Sequence, residues 1–265
     1  MRVHEHTIEV GGTPVFYRSA ARPSSLFLHG VPTSSDDWTA FLDRIDGIAP
    51  DLIGFGRTGK GGHLDYTIDG HAGFIEAFLD RLGVERVALV AHQWGAAGGL
   101  VFAQRNPERI ERLVLIDALP LLEGFTWPRI PRIWRAPLLG ELAMGAVTRS
   151  MFKRTMRKGG SWPDEELDAL WQQFDQGTQR AILRLHRDAS EQRLAGAGAE
   201  LDTLRSPALV LHGEDDPWLA PMLGDRYAAS LPDASLERIP NAGHWPWLDQ
   251  PSVIERVAEF LSEPP

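Results

Sequence analysis

The chain has 265 residues, of which 43% are hydrophobic and 24% charged, and its formal net charge is −9. This acidity argues against a nucleic-acid-binding protein, and the absence of cysteine excludes disulfides and thiolate chemistry. The first residues lack the apolar core of a signal peptide, and no apolar run approaches the ~20 residues that span a bilayer. We therefore expect a soluble, cytoplasmic protein whose partner is a small molecule, with no nucleic acid and no membrane.

The first part of the chain alternates between strand and helix patterns. Asp69 can cap a helix over residues 70–82, which Gly83 ends because glycine readily adopts the left-handed conformation that follows a helix. Ser34 can cap a shorter helix through Leu42. The strands predicted here, with an N-terminal hairpin counted as one unit, cover residues 6–18, 25–30, 47–52, 87–90 and 112–117.

The pattern changes between about residues 121 and 200, where strand signals give way to amphipathic helical segments such as 138–156 and 163–174. Strands and helices that alternate on either side predict a parallel sheet with helices on both faces. We interpret the chain as a core of residues 1–120 and 201–265 with an inserted helical cap of residues 121–200. The elements predicted after the cap are strands at 208–213 and 235–239 and helices at 222–231 and 252–261.

A sharp strand-to-helix turn is predicted at Ala91-His-Gln-Trp-Gly95. Small residues two before and two after a central side chain are typical of a nucleophile elbow, because the central residue has a strained backbone. That residue is normally Ser, Asp or Cys, and here it is Gln93. A carboxamide is a very poor nucleophile and forms no covalent intermediate. Glutamine has one methylene more than Asp, so we expect its head group to reach toward the oxyanion site.

Three interpretations of Gln93 remain open. In the first interpretation, an enzyme that had Asp or Ser at this position was altered so that the enzyme is disabled or its intermediate is trapped. Alternatively, a natural protein lost its nucleophile and became a catalytically inactive protein that binds a ligand. In the third interpretation, a natural enzyme uses a general base without a covalent step, acting on water or directly on the substrate.

Five segments, taken in order, resemble the α/β-hydrolases and cover the fold nearly end to end. The chain is most similar to the capped branch that contains haloalkane dehalogenases, epoxide hydrolases and related esterases. The resemblance implies an eight-stranded, mostly parallel sheet flanked by helices, with an inserted helical cap. The segments are His29-Gly-Val-Pro-Thr-Ser-Ser35, Asp51-Leu-Ile-Gly-Phe-Gly56, Ala91-His-Gln-Trp-Gly95, His212-Gly-Glu-Asp-Asp-Pro-Trp218 and Asn241-Ala-Gly-His244.

The resemblance implies that His244 is the catalytic base, since imidazole titrates near neutrality. The acid that orients it is expected to be Asp216, which follows a predicted buried strand. Asp117 is a rival, because some dehalogenases keep their acid at the end of the sixth strand. Asp215 is adjacent to Asp216 and is interpreted as a loop cap.

The backbone N–H groups of Val31 and Trp94 are the expected oxyanion donors. We expect an apolar pocket lined by cap residues, with Val31 and Trp94 on its floor, and neither a metal ion nor a cofactor, since the histidines show no metal-binding spacing. The residues assigned to substrate binding are His29, Gly30, Trp38, Trp94, Asp117, Trp127 and Trp245.

Features of the cap and the pocket narrow the substrate class. Trp94 is typical of the dehalogenase and epoxide hydrolase branch, where the resemblance implies that its indole helps to hold a halide. Val31 stands where many dehalogenases have an Asn as the second halide donor. The three tyrosines, Tyr17, Tyr66 and Tyr227, all lie outside the predicted cap, which argues against epoxide hydrolysis. Small apolar esters or organohalides are the predicted substrates, with proton-transfer chemistry or ligand binding without catalysis as alternatives.

Overall fold

The computed structural model describes residues 2–263 and contains one eight-stranded sheet, in the order β1-β2-β4-β3-β5-β6-β7-β8. The first three strands in this order pair antiparallel and all later neighbours pair parallel, so the predicted mostly parallel sheet is confirmed. The strands are β1 (His4–Val10), β2 (Thr13–Ala20), β3 (Ser25–Leu28), β4 (Gly47–Pro50), β5 (Val87–His92), β6 (Ile110–Ile116), β7 (Ala208–Gly213) and β8 (Ala234–Ile239).

Helices flank this sheet, and none in the described part of the chain is both long and apolar enough to cross a membrane. Six of them, α4 to α9, lie between β6 and β7 in the chain. The helices are α1 (Thr39–Leu42), α2 (Ile68–Leu82), α3 (Trp94–Arg105), α4 (Arg129–Arg135), α5 (Leu139–Gly145), α6 (Arg149–Met156), α7 (Asp164–Gln173), α8 (Gln176–Asp188), α9 (Glu191–Ala197), α10 (Met222–Ser230), α11 (Pro246–Asp249) and α12 (Ser252–Ser262).

Helix α2 begins two residues earlier than the sequence predicts. Thr67 is its cap and accepts a hydrogen bond from the backbone N–H of Gly70, whereas Asp69 lies in the first turn. A threonine in extended conformation satisfies a free N–H as aspartate would, and the acid then interacts favourably with the positive end of the helix dipole. Gly83 ends the helix with a positive φ of 67°, as predicted.

The segment predicted at residues 138–156 forms two helices rather than one. Helix α5 ends at Gly145, and Thr148 caps α6 by accepting a hydrogen bond from the N–H of Met151. Hydrophobic periodicity does not detect a break of this kind, because the apolar spacing continues across it.

Polar contacts join helices α7 and α8 to segments that follow strands of the sheet. Thr178 Oγ1 donates to the carbonyl of Gly54 at 3.1 Å, and Gln173 Nε2 donates to Asp36 Oδ2 at the same distance. Gly54 lies in the loop that follows β4, and Asp36 lies in a short 3₁₀ helix that follows β3, so α7 and α8 cover the carboxyl ends of the parallel strands, where α/β folds commonly bind ligands.

Strand β5 is buried along its whole length between β3 and β6, and α3 packs closely behind it. A Cβ added at Gly95 would lie 2.6 Å from the carbonyl oxygen of His29 and closer still to that of Leu28. Backbone atoms cannot yield as a flexible side chain can. Glycine is therefore required for α3 to approach β3.

We expect Gly95→Ala to lower the free energy of unfolding by about 1–3 kcal/mol, because the added methyl overpacks a rigid contact. Gly73→Ala is the matched control: this glycine is exposed within α2, and an added Cβ meets nothing within 4 Å. That change should stabilise the protein by roughly 0.5–1 kcal/mol. Urea unfolding of both variants measures the difference, and equal effects of the two changes would contradict the packing argument.

Candidate active site

Gln93 occupies the turn between β5 and α3. Its backbone has φ 47° and ψ −113°, a conformation that costs an L-residue of order 1–3 kcal/mol. Its N–H donates to the carbonyl of Ile116, and its own carbonyl accepts from Leu119 and Ala96. The strained turn is therefore held by β6 and the segment after it as well as by α3.

The carboxamide oxygen of Gln93 accepts two backbone hydrogen bonds. Val31 N–H donates to Oε1 at 2.7 Å and Trp94 N–H donates to it at 3.1 Å. Both partners are donors, so the atom that faces them is the oxygen and not the amide nitrogen. The expectation that the longer side chain reaches the Val31 and Trp94 donors is confirmed.

His29 and Gly30 shape the loop that carries the Val31 donor. A Cβ at Gly30 would lie 2.9 Å from Gln93 Oε1 and 2.8 Å from His92 Nδ1, so a larger residue would displace the carboxamide. The His29 ring is buried and uses both nitrogens on backbone atoms: Nδ1 donates to the Gly30 carbonyl, and Nε2 accepts from Leu52 N–H at 2.9 Å. Direct substrate binding by either residue remains a prediction.

His244 and Asp216 form a buried hydrogen-bonded pair. His244 Nδ1 lies 2.6 Å from Asp216 Oδ2, while Asp216 Oδ1 accepts from the backbone N–H groups of Trp218 and Leu219. Burial by itself raises the pKa of Asp216, but the His244 charge and hydrogen bond, together with the two N–H donors, hold it below the usual value. Nδ1 therefore carries a proton, and the lone pair of neutral His244 is on Nε2.

Asp117 lies beside this pair at the end of β6 and is fully buried, with a positive φ of 40°. Its Oδ1 accepts from Gly213 N–H at 3.1 Å. One atom each from Asp117, Asp216 and His244 lie within 4.8 Å of one another, and this is the grouping among residues 2–263 that could hold a metal ion. His244 Nδ1 and Asp216 already bond each other there, which fits an acid–base pair.

His92 contacts His244 through a hydrogen bond to its backbone, and the sequence pattern did not identify His92 as a site residue. Its Nε2 donates to the backbone carbonyl of His244 at 2.8 Å, and the two ring centroids are 4.8 Å apart. Burial lowers the pKa of His92 well below its usual value, so the ring is neutral. Its place directly before Gln93 was the signal available in the sequence.

Aromatic side chains from the helical segment cover Trp94. Trp127 stacks on the Trp94 ring with centroids 5.8 Å apart, and His186 of α8 meets it edge-on at 4.9 Å. Trp127 Nε1 donates to the Ala189 carbonyl, so this indole N–H is occupied. Trp94 Nε1 is buried and has no hydrogen-bond partner within residues 2–263. Nothing in the sequence pattern marked His186.

The two other tryptophans assigned to substrate binding are also buried. Trp38 packs in the core against Phe27, Phe41 and Trp247. Trp245 packs edge-on against His244, with ring centroids 4.9 Å apart. These contacts make Trp245 part of the surroundings of the imidazole and Trp38 part of the core behind it, and contact of either with substrate stays a prediction.

Comparison with known proteins agrees with this architecture. Residues 26–251 match the model of the alpha/beta hydrolase fold family. A haloalkane dehalogenase of Bradyrhizobium diazoefficiens is 30% identical over 95% of this chain and 92% of its own length, and one of Mesorhizobium japonicum is 29% identical over 92% and 86%. The crystal structure of a haloalkane dehalogenase from Bradyrhizobium elkani superposes with a TM-score of 0.87 at 26% identity, covering 98% of each chain. The chain therefore belongs to the α/β-hydrolase-fold family and is a haloalkane dehalogenase-like hydrolase within it.

Proposed function

We propose that this protein acts on small apolar substrates of the organohalide type without forming a covalent enzyme intermediate, and that Gln93 stands at the nucleophile position. The observation that carries the proposal is the pair of hydrogen bonds from Val31 and Trp94 N–H to Gln93 Oε1. These bonds support the proposal, because a neutral carboxamide in the position where the family resemblance implies a nucleophile cannot displace a halide or an alkoxide at a useful rate.

His244 is then the proposed general base, oriented by Asp216. With Nδ1 bonded to the acid at 2.6 Å, the Nε2 lone pair is available to accept a proton from water. Water oxygen attacks the carbon that bears the halogen, the carbon–halogen bond breaks, and the halide leaves with the electron pair. The products are an alcohol, a halide and protonated His244, which returns its proton to solvent.

The donor arrangement favours an organohalide over an ester. An ester route needs donors for the tetrahedral oxyanion, and Gln93 Oε1 already uses the N–H groups of Val31 and Trp94. Displacement of a halide needs a donor for the departing anion instead. Trp94 directly follows Gln93 in the chain, and its Nε1 is buried without a hydrogen-bond partner among the described residues, so we propose that it supplies this donor.

The domain assignment is part of this proposal. Residues 121–200 act as a cap over a core of residues 1–120 and 201–265. The stacking of Trp127 on Trp94 and the bond from Trp127 Nε1 to Ala189 support it, since they bring two parts of the cap against the residue that follows Gln93. Such a cover excludes water from an apolar site.

Elimination is a second candidate, favoured by the combination of an intact base and an absent nucleophile. His244 would take a proton from the carbon next to the one bearing the halogen, a carbon–carbon double bond would form, and halide would leave toward Trp94 Nε1. This reaction needs the same base and the same halide donor, but no attacking water.

We expect the unaltered protein to release halide from short haloalkanes, and His244→Ala to abolish this release because the proton acceptor is lost. Halide assay combined with analysis of the organic product separates the two candidates, since an alcohol indicates hydrolysis and an alkene indicates elimination. Ser230→Ala, at the half-buried C-terminal end of α10, is a control that should retain full activity. Absence of any His244-dependent turnover would leave ligand binding without catalysis as the function.

We expect Gln93→Asp to raise halide release by about 10³-fold or more, because a carboxylate can attack carbon and be regenerated by His244-activated water. Gln93→Asn is the matched control, with the same length and no charge, and should give no such gain. Gln93→Ser should instead gain activity on esters, since the shorter side chain frees both oxyanion donors. The measurement is turnover on haloalkane and ester panels. If neither the Asp nor the Ser variant gains activity, while the Gln93 protein acts on some other substrate and loses that action in His244→Ala, then Gln93 is the native residue of a non-covalent enzyme.

A further inference from the structure

Two buried carboxyl groups meet at the ends of neighbouring parallel strands. Asp117 follows the last residue of β6, and Asp216 follows β7 by three residues. The proposed mechanism assigns a role to Asp216 and none to Asp117. Yet both carboxyls lie within 4.8 Å of His244 and of each other, measured between one atom of each residue. A second acid in this position needs a physical account.

The hydrogen bonds of the two acids are unequal. Both oxygens of Asp216 accept bonds, from His244 and from two backbone N–H groups. Asp117 Oδ1 accepts from Gly213 N–H, but its Oδ2 is buried and accepts no hydrogen bond from any residue between 2 and 263. A bare carboxylate oxygen without water or donor is costly. A proton on Oδ2 removes that cost, because the atom becomes a donor to the adjacent Asp216 carboxylate.

The groups that face Asp117 offer little compensation for a second negative charge. His212 Nε2 lies 3.4 Å from Asp117 Oδ1, but this nitrogen also donates to the Leu219 carbonyl. Burial lowers the pKa of His212 and lowers that of His92 much further, so both rings are neutral at pH 7. His244 is the remaining basic side chain beside the two acids, and it is already bonded to Asp216.

We propose that Asp117 is a positioning residue that keeps a proton and donates it in a hydrogen bond to Asp216, so that the two acids together carry one negative charge. The inference rests on the proposed function in taking His244 as the base. Two negative charges beside His244 would hold the imidazole protonated at neutral pH, and it could then accept nothing. A single charge orients the ring and leaves its Nε2 lone pair free.

The electrostatics of the pair agree with this assignment. Burial, reinforced by the charge of Asp216, raises the pKa of Asp117 well above its usual range. The environment of Asp216 acts in the opposite direction, because His244 and two backbone donors outweigh the cost of burial. When the environments of two neighbouring carboxyls shift their pKa values in opposite directions, the two groups can hold different protonation states at the same pH.

The first test needs no variant. Infrared spectroscopy of the full chain at pH 7, with aspartate carboxyls labelled with ¹³C, should show a protonated carboxyl band that shifts with the label. Absence of a protonated aspartate band at pH 7 would overturn the proposal. Asp117→Asn should remove the part of the band that Asp117 contributes, and a band that this change leaves unaltered would overturn the proposal. Asp37→Asn is the control, because burial also raises the pKa of Asp37 well above its usual range and its own part of the band should disappear in that variant.

The second test is the sign of a pKa change at His244, measured by NMR titration of its imidazole. Asn at position 117 is neutral and can still donate to Asp216, so Asp117→Asn should move the His244 pKa by less than about half a unit. If Asp117 is ionised, the same change removes a negative charge and the pKa should fall by about 1 unit or more. Asp216→Asn is the control and should lower it by about 1–3 units.

These readouts do not depend on turnover, so the two proposals can fail separately. A protonated Asp117 together with full activity in His244→Ala would refute the proposed function alone. An ionised Asp117 together with His244-dependent halide release would refute the present inference alone.

Discussion

The contact on which the rest of the site depends is the acceptance of two backbone hydrogen bonds by one side-chain oxygen, Gln93 Oε1. Buried N–H groups cost about 1–3 kcal/mol each when unsatisfied, and a satisfied bond contributes roughly 0.5–1.5 kcal/mol. The strained backbone of Gln93 costs of order 1–3 kcal/mol. The two bonds are thus of the right size to offset the strain, and the carboxamide stabilises the turn between β5 and α3.

This contact also sets what the site can do. An oxyanion that formed at Val31 and Trp94 N–H would have to displace Gln93 Oε1, losing about as much hydrogen bonding as it gained. A halide that approached Trp94 Nε1 would meet no such competitor in the described chain. In the proposed function, glutamine at position 93 therefore has two effects, because it offers no attacking atom and it occupies the two backbone donors, while the indole of Trp94 and the base His244 remain.

Sequence reasoning predicted the elements around Gln93 well because they follow from local rules. The small residues Ala91 and Gly95 lie on either side of the turn and indicate close packing there. The structure shows this packing at Gly95, which lies against the backbone at the end of β3. Helix ends were harder to predict, because Thr67 and Asp69 are both good capping residues and the sequence alone does not choose between them. In the structure Thr67 is the cap and Asp69 lies in the first turn. The break between α5 and α6 gave no signal in the apolar spacing.

The parts of the site that the sequence could not supply are those built from distant segments. His186 reaches Trp94 from 92 positions away along the chain, and a buried histidine in an amphipathic helix looks like any other core residue. Position in the sequence favoured Asp216 over Asp117 but left Asp117 as a rival, because both acids follow buried strands. The structure shows that His244 bonds Asp216, whereas Oδ2 of Asp117 accepts no hydrogen bond from the part of the chain that is described.

That unequal hydrogen bonding bears on why a site that we propose to have Gln93 in place of a nucleophile contains the His244–Asp216 pair. Removal of one partner from a buried ion pair costs about 3–5 kcal/mol, whereas replacement of the whole pair by well-packed apolar residues is often neutral or stabilising. Stability alone therefore gives little reason to retain His244, Asp216 and a third buried carboxyl in a site that only binds. In the proposed function His244 takes a proton from water or substrate, and in the proposed arrangement one negative charge, shared by Asp117 and Asp216, orients the ring and leaves its Nε2 lone pair available.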